Sequence, residues 1–222
     1  MKKFELTSET KLYFGRTLYR IRALVAFGDV EAGELGGWIE KEQNLDQDGN
    51  AWVYGNVQVY GKAQVSGNAQ VYGDARVSGN VQVYGDARVS GNVQVYGKAQ
   101  VSGNAQVSGN AWVYGKAQVY GKAQVYGNAQ VSGDAWVYGF GAIFWISDIG
   151  SRDSTTTFFN CKDGLVRVSC GCFFGTLDEF AAKVKQTHGD NEHAKVYMLA
   201  IEMAKVRIKA KAEDGDTDGN EN

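Results

Sequence analysis

Glycine recurs at every sixth position from Gly49 through Gly139, sixteen times without a miss, a spacing on which no helix can be built. Around each glycine the unit reads Val-(Tyr/Ser)-Gly-(Asn/Asp/Lys)-(Ala/Val)-(Gln/Arg/Trp), as in Val77-Ser78-Gly79-Asn80-Val81-Gln82. One polar residue separates the Ala/Val from the next Val, so Ala75-Arg76-Val77 puts two apolar side chains on one face of a strand. Gly-Asn and Gly-Asp then turn the corner, because glycine accepts positive φ and Asn or Asp tolerates it better than most residues. A strand that bends every six residues must coil. Three sides make a triangular turn of about 18 residues that climbs by one strand spacing, roughly 4.8 Å. Residues 37–139 then hold between five and six coils of a parallel β-helix.

Inside, each coil contributes three Val and three Ala-or-Val side chains. Burying one Val is worth roughly 1.5–3 kcal/mol, so one coil cannot stand alone and a stack can. Outside, residues 18 apart lie above one another. Gln64, Gln82, Gln100 and Gln118 fall in one column and are expected to form an amide ladder, and Asn56, Asn92, Asn110 and Asn128 share a second column interrupted by Asp74. The tyrosines run Tyr54, Tyr72, Ser90, Ser108, Tyr126 along one side, with comparable mixtures on the others, so no side carries an unbroken aromatic stripe. Duplication of an older twelve-residue unit accounts for that alternation better than a sticky face does.

Composition narrows the function classes. Proline is absent, the apolar fraction is 44%, and the formal net charge is -2; these suit an ordered, turn-rich protein and favour neither a nucleic-acid nor a membrane partner. The start, Met1-Lys2-Lys3-Phe4-Glu5, runs into mixed polar sequence with no signal-peptide core, and no apolar run approaches the roughly 18 residues of a membrane span. A cytoplasmic protein is expected. Cys161, Cys170 and Cys172 are an odd set within one short region, unlike a secreted disulfide framework.

The ends differ from the coils. Residues 1–48 read as an N-terminal cap merging into a first imperfect coil, with a hairpin turn at Gly15-Arg16, and residues 49–139 are the regular β-helix. Residues 140–209 read as a small α+β domain, opening on the apolar run Phe140-Gly141-Ala142-Ile143-Phe144-Trp145-Ile146. Strands are expected at 155–159 and 165–170 around the turn Lys162-Asp163-Gly164. Thr176-Leu177-Asp178-Glu179 has the form of a capping box and opens a helix to about residue 187. A second helix over about 192–209 is expected to face the sheet with Val196, Leu199, Ala200, Met203 and Val206. Residues 210–222 form an acidic tail expected to be disordered.

Candidate chemistry is thin. Cys170-Gly171-Cys172 with His188 and His193 supplies four zinc-ligand types, but the spacing matches no standard finger, and free thiols beside surface histidines explain it more simply. Acids lie beside both histidines in His188-Gly189-Asp190-Asn191-Glu192-His193, where a loop ending in a helix cap is the plainer reading than acid–base catalysis. No Gly-x-x-x-x-Gly-Lys-Ser/Thr loop occurs. Lys195, Lys205, Arg207, Lys209 and Lys211 read as a solvated helix end rather than a nucleic-acid site. No catalytic residue, cofactor ligand or metal ligand is therefore assigned.

The hexads, as in Val101-Ser102-Gly103-Asn104-Ala105-Gln106, resemble the hexapeptide repeat of left-handed β-helix proteins, and that resemblance alone implies the handedness. Tyr19-Arg20-Ile21-Arg22-Ala23-Leu24, Phe27-Gly28-Asp29-Val30 and Leu35-Gly36-Gly37-Trp38-Ile39-Glu40 resemble bacterial and phage-encoded hexapeptide proteins usually labelled as transferases without a demonstrated activity. Acyltransferases of this architecture are homotrimers that bind acyl-coenzyme A between subunits and use a histidine base from a coil or its loop. Here the coils contain no histidine. The function expected is a non-enzymatic structural or interaction module encoded by a phage or prophage. Its β-helix would be a rigid scaffold, and its C-terminal domain would bind an unidentified protein partner. The alternative is an acyltransferase of the hexapeptide type. Self-association as a trimer is expected, with Trp112, Tyr114, Trp136 and Tyr138 as interface candidates on two different faces.

Overall fold

A computed structural model describes residues 1–208; the expected tail at 210–222 and the last residue of the expected second helix lie outside the described residues. The chain begins with an antiparallel hairpin, β1 (Phe4–Tyr13) and β2 (Arg16–Ala23). Its two-residue turn is Phe14-Gly15, both at positive φ (44° and 73°), which is the primed geometry that matches strand twist. Arg16 already pairs with Tyr13, so the turn sits one residue earlier than the sequence suggests. β2 pairs with β3 (Leu35–Ile39), and β3 enters the solenoid as its first parallel strand.

From there the chain winds through three parallel sheets. The first continues from the hairpin and β3 through residues 58–61, 76–79, 94–95, 112–113 and 130–131. The second joins strands at 52–53, 70–71, 88–89, 106–107 and 124–125, and the third at 64–65, 82–83, 100–101, 118–119 and 136–137. From Trp52 onward every pairing between coils is offset by 18 residues, for example Val95 with Val113 and Val101 with Val119, whereas the first, imperfect coil is offset by 20, Trp38 pairing with Gln58. The inward Ala and Val side chains from Ala51 to Val137 are fully buried. Backbone bonds run along the axis, as in Asn110 N to Gly127 O at 2.8 Å and Trp112 N to Ala129 O at 2.9 Å. The corners need glycine for two reasons. Gly109 has a φ of 73°, and a Cβ on it would stand 2.9 Å from the Gly127 nitrogen in the next coil. The expected ladders form over part of each column: the Gln118 amide donates to Gln100 at 3.0 Å and Gln100 to Gln82 at 3.2 Å, while Asn92, Asn110 and Asn128 chain at 3.2 Å per step.

Both ends of the core are closed. At the N-terminal end Trp52 occupies an outward position of the repeat, yet it is fully buried beneath Phe4 and Phe27, whose rings meet it edge-on at 6.2 and 5.4 Å. Lys3 is buried beside them and donates to the carbonyls of Asp48, Gly49 and Ala51 at 3.0–3.3 Å. At the C-terminal end lies an antiparallel sheet with strands at Ile143–Ile149, Ser154–Asn160, Val166–Cys170 and Phe173–Thr176. Its residues alternate between two cores. Ile143, Phe159 and Cys161 pack on the last coil, whereas Phe158 and Val168 pack under the helices α1 (Leu177–His188) and α2 (Glu192–Arg207). The sheet is thus a lid on the solenoid and a floor for the helices. The Thr176–Glu179 capping box forms as expected.

The second helix corrects the sequence reading. Ala194, Tyr197, Ala200, Ile201, Ala204 and the following Ile208 are the buried residues, while Val196, Leu199, Met203 and Val206 are exposed. Only Ala200 of the expected inward set faces the sheet layer. Apolar residues lie on both sides of this helix, so periodicity alone does not choose between them.

Candidate functional site

The distal half of the β1–β2 hairpin leans over the outer face of the first sheet and makes a groove of about 320 Å³ lined by Tyr13, Phe14, Tyr60, Arg76, Ser78, Gln94 and Tyr96. Alternation along each coil aims these sheet side chains outward, because the residues beside them, Val59, Val77 and Val95, are buried inside. The Tyr13 ring meets Tyr60 edge-on at 5.7 Å, and the Arg76 guanidinium lies 5.6 Å from the Tyr13 ring centre. Phe14 packs on Tyr13 at 4.6 Å and remains 85% exposed at the rim. Tyr96 continues the aromatic surface, stacking on Tyr114 at 5.0 Å and touching the edge of Trp112 at 6.4 Å.

Cations gather around this groove. Lys11 and Arg20 both sit over the Trp38 ring, at 4.5 and 5.3 Å, and Arg16 lies 5.9 Å from Tyr60. Burial pushes the Lys11 ammonium below its usual pKa, and the neighbouring charges of Arg20 and Arg76 push the same way against the opposing pull of Asp74. Arg16 is neutralised by Glu40 at 2.7 Å. Burial works against ionising Glu40, but the Gly61 N–H and Arg16 hold its carboxyl below the ordinary carboxylate range. Arg20 meets Glu9 only at 3.9 Å, and its Nε is buried without a hydrogen-bond partner. The groove therefore combines aromatic faces with incompletely neutralised cations. An acidic surface carrying apolar side chains fits that chemistry.

The four interface candidates fall in two places. Trp112 and Tyr114 extend the groove's aromatic surface along the first sheet, and Trp136 belongs to the third sheet, where it stacks on Tyr120 at 5.8 Å and meets Tyr138 at 6.2 Å. The structure does not bring the two pairs together. The hairpin tip, Tyr13 and Phe14, cannot be read from the repeat, because nothing in the hexads says that a distant hairpin folds onto them.

In the C-terminal domain a second cavity, about 270 Å³, is bordered by Arg152, Cys170, Cys172, His188 and Tyr197 among others. Thr156 Oγ1 donates to the Cys170 sulfur at 3.2 Å, and that sulfur lies 3.8 Å from the Tyr197 hydroxyl. Burial, with Cys170 adding to it, pushes the Tyr197 hydroxyl up to about 12. The His188 and His193 rings are 5.8 Å apart. Among the described residues no group of three or more His, Cys, Asp or Glu side chains is placed to hold a metal ion. The cysteines occupy unlike settings: Cys161 is buried in the solenoid core, Cys170 is half-buried and Cys172 is exposed.

Comparison with known proteins agrees with this architecture. Residues 63–79, 69–83, 81–97, 99–115, 105–121 and 123–139 match the YdcK beta solenoid repeat, all within the coils. A protein of Escherichia coli (strain K12) described as "Uncharacterized acetyltransferase YdcK" is 37% identical over 62 residues, a match covering 24% of this chain and 19% of that protein. The matched region spans about a fifth of that relative's length. No helix among the described residues is long and apolar enough to cross a membrane.

Proposed function

We propose that this hexapeptide-repeat β-helix protein, with its small C-terminal domain, is a protein-interaction scaffold that engages an acidic partner surface through the groove under its N-terminal hairpin. The observation that carries the reading is the composition of that groove. Tyrosine, tryptophan and arginine are the residues that dominate binding energy at protein interfaces, and here Tyr13, Tyr60, Tyr96, Trp112 and Arg76 converge on one face. The fully buried Val and Ala stack beneath gives them a stiff support. The proposed partner site therefore lies on the solenoid side, whereas the sequence reading put it on the C-terminal domain.

A second reading rests on the printed name of the E. coli relative, an acetyltransferase. It requires acyl-coenzyme A binding by this chain. Two measurements separate the readings. Titration of the pure protein with acetyl-coenzyme A in a calorimeter is expected to give no saturable heat, and micromolar binding would overturn the scaffold reading. Affinity capture from the source organism is then compared between wild type and an Arg76→Glu, Tyr96→Ala variant. The partner should be lost from the variant; unchanged capture would remove the groove from the interface.

A further inference from the structure

Helix α2 packs against α1 and the C-terminal sheet, and an apolar stripe runs along its solvent side among charged residues. Val196, Leu199, Met203 and Val206 are 37%, 65%, 48% and 80% exposed. Their steps of three, four and three residues are those of the a and d positions of a heptad repeat. On the opposite side Tyr197, Ala200, Ile201 and Ala204 are already buried against the sheet and α1, so rolling the helix to hide the stripe would expose that core. Within a domain this small, such a row of large apolar side chains marks a contact surface.

We propose that the stripe is the seam along which two copies of this chain associate, α2 lying parallel to α2 in a short two-stranded coiled coil. The flanking charges select both the occupant and its direction. With Val196 and Met203 at a, Glu202 occupies a g position and Arg207 the e position five residues later. In a parallel pair each Glu202, which pairs with Lys205 of its own helix at 2.8 Å, also faces Arg207 of the other copy, twice by symmetry. An antiparallel pair that superposes the same four apolar layers brings Glu202 to Glu202 instead, a like-charge contact. The helix thus complements itself when parallel. Val at a with Leu at d in the first heptad favours two strands over three. This contact is independent of the groove under the hairpin, and it is an alternative to the threefold packing through Trp112 and Trp136 expected from the sequence. With only four apolar layers the seam is short, and a concentration-dependent dimer follows.

Sedimentation equilibrium of the full chain over a hundredfold concentration range tests this. Wild type is expected to shift from monomer to dimer, and Leu199→Lys with Met203→Lys to remain monomeric while keeping the wild-type circular dichroism spectrum. Glu202→Arg should weaken the dimer about tenfold, and adding Arg207→Glu should restore it. Leu199→Cys in a Cys172→Ser background should form an intermolecular disulfide on mild oxidation, because a parallel seam places residue 199 opposite its own copy. A monomer at every concentration, another stoichiometry, a dimer unmoved by the two lysines, or failure of the charge swap to rescue would overturn the proposal.

Discussion

Replacing Lys3 by methionine should change how stability responds to pH, and the size of the change follows from where the ammonium lies. Lys3 is 4% exposed, its Nζ donates to three carbonyls, and it sits 4.9 Å from the Phe27 ring centre. Burial lowers its pKa from 10.5 to about 8, against the opposing pull of Asp46 and Asp48. A fall of that size means that folding favours the neutral amine over the ammonium by about 3 kcal/mol. Below about pH 8 the folded and unfolded chains both hold the proton, so stability does not vary with pH through this group. Between about 8 and 10.5 the unfolded chain keeps a proton that the folded chain has released, so stability rises with pH. The wild type should therefore gain about 2 kcal/mol on Lys3→Met between pH 8 and pH 10. The window stops at 10 because burial pushes the Tyr54 and Tyr197 hydroxyls up to about 12, and their contribution is lost as pH rises from 10 toward 12. Urea unfolding followed by tryptophan fluorescence at half-unit steps gives both curves. Parallel curves, or a wild type that loses ground as pH rises, would refute the reasoning.

Val101→Asp places a carboxylate in the fully buried stack and should cost more than about 4 kcal/mol, whereas Gln106→Glu on the outer face should cost about 0.5 kcal/mol or less; equal unfolding midpoints would contradict the inside–outside assignment. Gly109→Ala combines a positive φ with a Cβ 2.9 Å from the next coil's backbone, so a loss of about 2 kcal/mol or more is expected by thermal unfolding. Thr176→Ala removes the hydroxyl that accepts from Glu179 N and should cost about 1 kcal/mol, with faster amide exchange in the first turn of α1. An unchanged exchange rate there would mean the cap contributes nothing.

The coils were legible because their rule is local: one glycine corner and one pair of inward side chains per hexad, repeated with the same spacing from Gly49 to Gly139. The capping box at Thr176 was legible for the same reason, since its partners lie three residues apart. What the sequence hid depends on distant segments. Trp52 stands at an outward position of the repeat but is buried because Phe4, Phe27 and Gly36 close over it. The strand at Phe173–Thr176 was missed because Gly171-Cys172, which forms the turn into it, was read as part of a possible ligand set. The face of α2 was misread because both of its faces are apolar, and the sheet beneath it accepts the one that carries Tyr197 and the small residues Ala200 and Ala204. The groove depends on a hairpin much earlier in the chain folding onto Tyr60 and Arg76.

The 18-residue offset between paired coils couples length to phase. Inserting one whole coil would move the hairpin and the terminal helices apart by about 4.8 Å without rotating either relative to the other. Inserting a single hexad would turn one end by about a third of a revolution and carry the groove to a different azimuth from α2. The rod therefore behaves as a graduated shaft, on which the distance between its two working ends can be adjusted only in steps of a full turn if their relative orientation is to be kept.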